Sequence, residues 1–179
     1  AEDKSFYQHF GIDLKALTRA IITNISNIGT GKRPIGASTI TQQVAKNFLL
    51  TNEVSVERKI KEAILAVRIE HALQKDDILA LYLNDIYLGL SSYGVAAAAL
   101  NYFDKPLDRL QLHEIAYLAA LPKAPNNYHP VKETNNALIR RNWVLQQMFL
   151  NGYINEEEKV FAQSYSLGVR PQTGSDLAE

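Results

Sequence analysis

The chain has 179 residues, 46% hydrophobic and 21% charged, a balance typical of one globular domain with a core of its own. Its 19 basic and 19 acidic residues cancel, so net charge gives no reason to expect nucleic acid as a partner. The absence of cysteine excludes disulfides and thiolate metal sites. No apolar run approaches the roughly 20 residues that span a bilayer. The opening residues, Ala1-Glu2-Asp3, indicate a piece of a longer protein, so we expect any membrane anchor to lie outside this fragment.

Helical periodicity dominates the first half of the chain. Asp13 is placed to cap a helix that runs to about Ile28, and Ser55 to begin a long helix through roughly Leu73. Between them, the glycine- and proline-containing residues 29–36 predict a mobile loop. Ser38 or Thr39 then caps another helix. The apolar positions at helical spacing are Leu14, Leu17, Ile21, Ile22 and Ile25 in the first helix, and Ile40, Val44 and Phe48, expected to be buried, in the second.

The second half of the chain continues the same helical pattern. Asp76 is expected to cap a helix that ends at Gly89, and Thr134 one that ends at Gly152. Further helices are predicted over residues 94–101 and 112–121 and from Asn155 onward, and a linker from Gly168. Strand alternation is scarce, and the predicted fold class is therefore mainly α.

The helix that begins at Ser55 carries its charges in an unusual order. Arg58, Lys59 and Lys61 fall in its first two turns, where the helix dipole disfavours each cation by about 0.3–1 kcal/mol. A solvated basic face is the simplest interpretation. However, Glu62 continues the apolar row of Leu65 and Ile69 beside Arg58, and a second stripe of Ile60, Ile64 and Val67 lies opposite, which predicts a largely buried helix. A buried acid among cations indicates a cleft suited to a phosphate-bearing ligand.

The preceding helix separates an apolar row from a polar one. Thr39, Gln42, Gln43 and Lys46 share one side of it, where hydroxyls, amides and a cation would suit sugar or phosphate oxygens. The alternative interpretation is an ordinary amphipathic helix with a Thr39/Gln42 capping box. The residues leave these alternatives open.

Five motifs follow one another along the chain. They are Glu2-Asp3-x-x-Phe6-x-x-His9-x-Gly11; Gly36-Ala37-Ser38-Thr39-Ile40-Thr41-Gln42-Gln43 with Ala45-Lys46-Asn47; Arg58-Lys59-x-x-Glu62; Tyr82-Leu83-Asn84-x-Ile86-Tyr87-Leu88-Gly89; and Glu114-x-Ala116 through Leu121-Pro122-x-Ala124-Pro125. In this order they resemble the motifs of the family 51 glycosyltransferases, found in bifunctional penicillin-binding proteins and monofunctional peptidoglycan transglycosylases. The resemblance covers the chain up to about Leu167.

The resemblance implies a lysozyme-like helical domain over residues 1–167, with a membrane-associating jaw at about 12–36 and a linker at 168–179. It implies that the enzyme polymerises lipid II into β-1,4-linked glycan with inversion and releases undecaprenyl pyrophosphate from the lipid-linked strand. The expected place is the periplasmic face of the bacterial cytoplasmic membrane. Moenomycin-type inhibitors are expected to bind the same cleft, and a downstream transpeptidase domain is expected in the same parent chain.

The resemblance also implies roles for individual residues. Glu2 would be the general base, and Glu62 a second carboxylate that organises the pyrophosphate site or binds a divalent ion such as Mg²⁺, although no cofactor is required. The residues implied in substrate binding are Ser38, Thr39, Gln42, Gln43, Lys46, Asn47, Arg58 and Lys59, and the supporting ones are Asp3, Phe6, His9, Asn84 and Tyr87.

Two positions depart from the family pattern. Asp104 stands where relatives commonly have glycine in Tyr-Phe-Gly-Lys, and Ala80 where they commonly have an acid. Both concern local turns rather than the implied catalytic set. Two other functions remain open: a lysozyme-type glycoside hydrolase, which would need a paired carboxylate but not the cations, and a non-catalytic helical module that binds wall precursors.

Overall fold

A computed structural model describes residues 2–32, 34–48 and 55–170 of the chain. The chain divides into two compact units, an amino-terminal unit over Glu2–Tyr82 and a carboxy-terminal unit that begins at Leu83. The described residues form eight α-helices, and their only β pairing is an isolated bridge between Tyr87 and Tyr93. The predicted mainly α class is therefore confirmed.

The amino-terminal unit contains α1 (Leu14–Ser26), α2 (Ile40–Phe48), α3 (Val56–Ala72) and most of α4 (Lys75–Asp85). Asp13 caps α1 by accepting the Ala16 amide at 2.9 Å, and Ser55 caps α3 by accepting the Arg58 amide at 3.1 Å, as predicted. The α4 prediction was inaccurate, because Asp76 lies inside the first turn and the helix ends at Asp85.

The chain leading into α1 lies directly against α3. Gly11 has φ +84°, and a Cβ there would lie 2.8 Å from the backbone carbon of Ala66. Only glycine satisfies both the left-handed backbone and this close approach. Residues 2–11 are thereby brought onto the middle of α3.

Two apolar surfaces that were expected to pack are exposed instead. Phe48, at the end of α2, is 61% exposed, and α3 presents Ile60 and Ile64 to solvent, so the prediction of a largely buried α3 was wrong. The inward side of α3 carries Glu62 and Ala66, the residues of this helix that are fully buried. On α1, Ala20 is buried, whereas the apolar stripe is exposed, at Leu14, Leu17, Ile21, Ile22, Ile25 and the following Ile28.

The carboxy-terminal unit contains α5 (Val95–Phe103), α6 (Leu112–Leu118), α7 (Thr134–Leu150) and α8 (Glu156–Ser164), with short 3₁₀ turns between them. One apolar cluster is built around the rings of Tyr102, Phe103 and Tyr117, and a second packs α6, α7 and α8 together. Asn155 and Glu158 form the capping box that opens α8.

Several boundaries in this unit differ from the predicted ones. The helix expected to run to Leu121 ends at Leu118 and is followed by a 3₁₀ turn over Leu121–Lys123, and Thr134 is the first residue of α7 rather than its cap. Residues 168–170, which begin the predicted linker, pack on this unit through the Arg170 amide, which donates to the Tyr102 carbonyl at 2.8 Å. The remainder of that prediction, 171–179, lies outside the described residues, as does residue 33 of the predicted loop.

The departure at Asp104 has a direct structural consequence. This residue ends α5 in the left-handed conformation, with φ 55° and ψ 40°, which is the conformation that glycine adopts at helix ends. The backbone turn is therefore kept although the residue is not glycine. Within the described part of the chain, none of the helices is long and apolar enough to cross a membrane.

Candidate active site

Asp3 fixes the segment that carries Glu2 to the start of α2. Its Oδ2 accepts the Ile40 amide at 3.0 Å and lies 2.9 Å from His9 Nε2, and both side chains are more than nine-tenths buried. A carboxylate at a helix amino terminus is favoured by the free amides and the dipole there. Asp3 therefore contacts both His9 and the start of α2, and the role of Asp3 and His9 as supports of the Glu2 segment stays a prediction.

Tyr82 lies near this segment and was not among the predicted site residues. It is 5% exposed, and its hydroxyl has no hydrogen-bond partner among the described residues. Burial, together with the negative charges of Glu2 and Asp3, raises the pKa of the Tyr82 hydroxyl above its ordinary range. An unsatisfied buried hydroxyl costs about 1–3 kcal/mol. The membership of Tyr82 in the fourth motif was the signal that could have identified it.

Among the described carboxylates of the amino-terminal unit, Glu62 is the most deeply buried, at 1% exposure. Arg58 Nη1 binds Oε1, and Lys59 Nζ binds Oε2 at 2.6 Å. The Arg58 side chain is itself largely buried, whereas that of Lys59 is half exposed. The sequence-based expectation of an acid enclosed by cations is confirmed. Lys61 takes no part, since it pairs with exposed Glu57 on the surface.

The first turn of α3 is joined to the start of α2 by a hydrogen bond. Lys59 Nζ donates to Ser38 Oγ at 3.2 Å while it also holds Glu62. Ser38 thus stands beside the cation pair of α3. Because its hydroxyl is exposed, this part of the site is open to a ligand from solvent.

Thr39 and Gln42 form the capping box that sequence analysis offered as the alternative to ligand binding. The Gln42 amide donates to Thr39 Oγ1 at 3.1 Å, and Gln42 Oε1 accepts the Thr39 amide at 3.0 Å. Thr39 is buried, and its hydroxyl also donates to the Gly11 carbonyl at 2.6 Å. These two side chains hold the Glu2 segment and α2 together.

The remaining predicted residues fall into two groups. Phe6 is buried, Gln43 is half buried, and Lys46 and Asn47 are exposed in the last turn of α2. Asn84 and Tyr87 belong to the carboxy-terminal unit, where the Tyr87 ring lies against that of Tyr93, with centroids 5.0 Å apart. The role of these residues toward a ligand stays a prediction.

Sequence analysis missed two further charged residues of the amino-terminal unit. Glu70 near the end of α3 and Lys75 at the start of α4 form a partly buried ion pair at 2.7 Å. The helix break between them hides the pair from a search for helical i, i+4 spacing. Among the described residues, no group of three or more His, Asp or Glu side chains is arranged to hold a metal ion.

The chain that contains this buried carboxylate among cations matches a known family. The sequence profile described as Transglycosylase matches residues 1–149. The chain is 54% identical over 157 residues to a penicillin-binding protein 1A of Rickettsia typhi, covering 88% of this chain and 20% of that protein. A penicillin-binding protein 1A of Aquifex aeolicus is 50% identical over 171 residues, covering 96% and 23%.

A solved structure supports the same relationship. The crystal structure of penicillin-binding protein 1A from Haemophilus influenzae aligns with 79% of this chain and 18% of that chain, at 34% identity and a TM-score of 0.50. The chain belongs to the transglycosylase family, and its enzyme class is that of the peptidoglycan glycosyltransferases. It spans about a fifth of the length of the curated relatives named above.

Proposed function

We propose that this chain polymerises lipid II into β-1,4-linked glycan, with inversion and release of undecaprenyl pyrophosphate. The observation that carries the proposal is the buried Glu62 carboxylate, which holds Arg58 and Lys59 side by side at the start of α3. A hydrolase with water as acceptor has no use for such a cation pair. The pair would stabilise a diphosphate leaving group, because negative charge accumulates on that group as the glycosidic bond breaks.

Glu2 is proposed as the general base. It would take the proton of the acceptor's 4-hydroxyl while that oxygen attacks the anomeric carbon of the lipid-linked strand. The bond from the anomeric carbon to the pyrophosphate oxygen breaks in the same step, and its electron pair leaves with the pyrophosphate. One displacement inverts an α-linked donor to a β link and needs one base, with no covalent sugar–enzyme intermediate.

Glu62 is proposed to organise the pyrophosphate site rather than to transfer a proton. Both of its oxygens are already bound by cations, so the carboxylate fixes where Arg58 and Lys59 point. The same arrangement does not suit a divalent ion, whose positive charge would compete with two cations for one carboxylate. No step of the proposal therefore passes through Mg²⁺.

The other polar residues of α2 are proposed to contact substrate to different degrees. Ser38, Gln43, Lys46 and Asn47 present polar atoms that can reach sugar or phosphate oxygens. Thr39 and Gln42 contribute indirectly, since their side chains are occupied by the capping box. Asp3, Phe6 and His9 support Glu2, and Asn84 and Tyr87 are proposed as supports of the cleft.

The exposed apolar stripe of α1 is proposed as the surface that meets the lipid bilayer. It carries Leu14, Ile22 and Ile25, each at least 60% exposed, together with Lys15 and Arg19, which can face lipid headgroups. The proposed setting is the periplasmic face of the cytoplasmic membrane. We also propose a downstream transpeptidase in the parent protein, on the ground that the relatives, of which this chain covers about a fifth, are named penicillin-binding protein 1A.

Incubation with purified lipid II in detergent tests the proposed reaction. The parent protein should form polymer, and Glu2→Gln should lower the rate by at least about 100-fold, because a positioned base contributes about 10²–10⁴-fold. Glu57→Gln, on the exposed α3 surface, is the control and should polymerise normally. Cleavage of preformed glycan without polymer formation would instead identify a hydrolase, and an unaffected Glu2→Gln variant would remove Glu2 from the mechanism.

Moenomycin binding tests the proposed pyrophosphate contacts separately. Combined Lys46→Ala and Arg58→Ala changes should weaken binding of this lipid-linked phosphoglycolipid by at least about 10-fold, since each charge-assisted hydrogen bond is worth about 1.5–3 kcal/mol. Lys61→Ala is the matched control. Undiminished binding by the double variant would contradict the phosphate role.

A further inference from the structure

A partly buried ion pair joins the end of α3 to the start of α4. The Glu70 side chain is 3% exposed, and its Oε1 accepts from Lys75 Nζ at 2.7 Å and from Thr41 Oγ1 at 2.6 Å. Thr41 belongs to α2, so one carboxylate oxygen connects α2, α3 and α4. The proposed reaction assigns no task to any of these three residues.

Lys75 makes two further contacts, both to the segment that carries Glu2. Its Nζ donates to the His9 carbonyl at 2.6 Å and lies 4.5 Å from the centre of the Phe6 ring, in cation–π geometry. Next to it, the Tyr7 hydroxyl donates to Asp76 Oδ1 at 3.0 Å. The first turn of α4 therefore holds residues 6–9 through the Phe6 ring, the Tyr7 hydroxyl and the His9 carbonyl.

Stability alone does not explain a charged pair in this position. Desolvation of two charges can cancel their attraction, and an apolar pair of similar volume is often as stable. The charged pair instead provides direction, because two of the three N–H donors of the ammonium are bound by Glu70 and by the His9 carbonyl. Such contacts fix one backbone arrangement, because other arrangements would leave a buried charge without a partner.

We propose that Lys75, held by Glu70, is a positioning residue for polymerisation, acting through the His9 carbonyl and the Phe6 ring to keep the Glu2 segment in its reactive place. Asp3 fixes the front of this segment to α2, and Lys75 fixes the back of it to α4. The inference rests on the proposed role of Glu2 as base. A displacement of about 1 Å at a reacting group can cost on the order of 100-fold in rate.

The first experiment compares Lys75→Met with Lys61→Met in the full-length protein. Methionine keeps an unbranched chain of similar length and removes the charge, and Lys61 is the matched control because its ion pair with Glu57 is on the surface. For Lys75→Met, kcat for lipid II polymerisation should fall about 10- to 100-fold with KM within about 3-fold. Amide hydrogen exchange should speed up in residues 5–11 and stay unchanged in α7. Parental kcat and exchange would overturn the proposal.

The second experiment separates positioning from a general loss of folded protein. In a Glu2→Gln background, Lys75→Met should cause less than about a 2-fold further loss of the residual rate, because both changes act on one group. If Lys75→Met lowers the residual rate of Glu2→Gln by the same factor as it lowers the parental rate, Lys75 does not act through Glu2. Lys75→Arg, which keeps a charge for Glu70, should recover most of the parental rate.

Two outcomes distinguish this inference from the proposed function beneath it. An active Glu2→Gln variant would reject the base assignment whatever Lys75 does, whereas an inactive Glu2→Gln with a fully active Lys75→Met would reject the positioning role alone. If Lys75→Met does not fold, Phe6→Leu takes its place, because it removes the ring beneath the ammonium and keeps an apolar side chain. Its exchange and kcat are then expected to change in the same direction, by a smaller factor.

Discussion

The two units of the chain differ in what they bury. The interior of the carboxy-terminal unit is built around aromatic rings, with Tyr102 and Tyr117 5.7 Å apart in edge-to-face geometry. Among its described residues, the amino-terminal unit buries the carboxylates of Asp3, Glu62 and Glu70, each facing an amide, a hydroxyl or a cation. It meanwhile leaves the apolar stripe of α1 in solvent.

The two units therefore depend on interactions of different kinds, one that mainly contributes stability and one that mainly fixes geometry. Apolar packing is non-directional and stabilises a unit roughly in proportion to the area that it buries. Buried charges contribute little net stability but tolerate few arrangements, since a displaced partner leaves an unpaired charge. The buried carboxylates therefore constrain the geometry of the amino-terminal unit, whereas the aromatic packing of the carboxy-terminal unit mainly stabilises it.

The largest expected effect comes from Glu62→Gln, which tests the charged interior directly. Arg58 would keep its charge in a largely buried position without the carboxylate that balances it. We expect the free energy of unfolding to fall by about 3 kcal/mol and polymerisation per folded molecule to fall at least about 100-fold. Urea titration and a lipid II assay measure the two effects. Exposed Glu57→Gln should change neither, and a Glu62→Gln variant with parental activity would contradict the assigned role.

Arg141 tests the other unit, whose described residues bury the charged side chains of Glu114, Arg140 and Arg141, and Arg141 is the most deeply buried of the three. Its guanidinium donates to the carbonyls of Ser166 at 3.0 Å and Tyr165 at 2.9 Å, beyond the end of α8. Burial lowers its pKa. Arg141→Met should lower the free energy of unfolding by about 2–4 kcal/mol, because carbonyls lose their donors, and leave kcat per folded molecule unchanged.

The control for Arg141 is Arg109→Met, at an exposed position of a 3₁₀ turn. Its unfolding midpoint should match that of the parent protein. A selective loss of kcat in Arg141→Met, without loss of stability, would break the division of tasks between the two units.

A smaller effect is expected from pH, through His113 of α6. Its ring is buried and stacked on Tyr165 with centroids 4.5 Å apart. Burial lowers its pKa, with Arg141 and Lys105 adding to the shift and Glu114 opposing it. Below an ordinary histidine pKa of about 6.5 the unfolded chain gains a proton that the folded chain refuses, so stability falls as pH falls, by at most about 1.4 kcal/mol per pH unit, until the lowered pKa is reached.

Urea titrations of the parent protein and of His113→Gln at several pH values measure how the free energy of unfolding depends on pH. The variant should lose part of the acid dependence and keep the part due to His129, whose pKa is also lowered by burial. An unchanged slope in His113→Gln would contradict the prediction.

The smallest expected effect is stabilising, at Asp104. A left-handed conformation costs an L-residue about 1–2 kcal/mol relative to glycine, less for Asp, and glycine loses more entropy on folding. Asp104→Gly should therefore raise the free energy of unfolding by about 0.5–1 kcal/mol. Asp108→Gly, in a 3₁₀ turn without positive φ, is the matched control and should lower it. A destabilised Asp104→Gly variant would mean that the carboxylate itself stabilises this turn.

Local signals predicted much of the fold. The caps at Asp13, Ser55 and Asn155 stand where sequence analysis placed them, because a cap depends on a few neighbouring residues. Glu62 was identified for the same reason, since its partners Arg58 and Lys59 lie within one turn of the same helix. Asp76 was assigned to the wrong position because an acid in a first turn resembles a cap in sequence.

Contacts across helices could not be predicted in this way. Periodicity showed that α3 has two apolar stripes but not which of them would face inward, and the stripe at Ile60 and Ile64 is exposed. Nor does sequence show that Glu70 and Lys75 meet, or that a buried Tyr82 hydroxyl lies near Glu2. These depend on how separate helices pack, which short-range spacing does not encode.

By itself, the sequence determined that the chain is mainly α and belongs to the transglycosylase family. Its motif series identified Glu2 as the predicted base, and the spacing within one helix predicted that Glu62 lies among cations. Both results depend on residues close in the chain. Tertiary structure decided that the Thr39 hydroxyl donates to the Gly11 carbonyl, and that Asp3 and Lys75 hold the two ends of the Glu2 segment. The physical reason is that a hydrogen bond between distant residues forms only after packing has brought its donor and acceptor together.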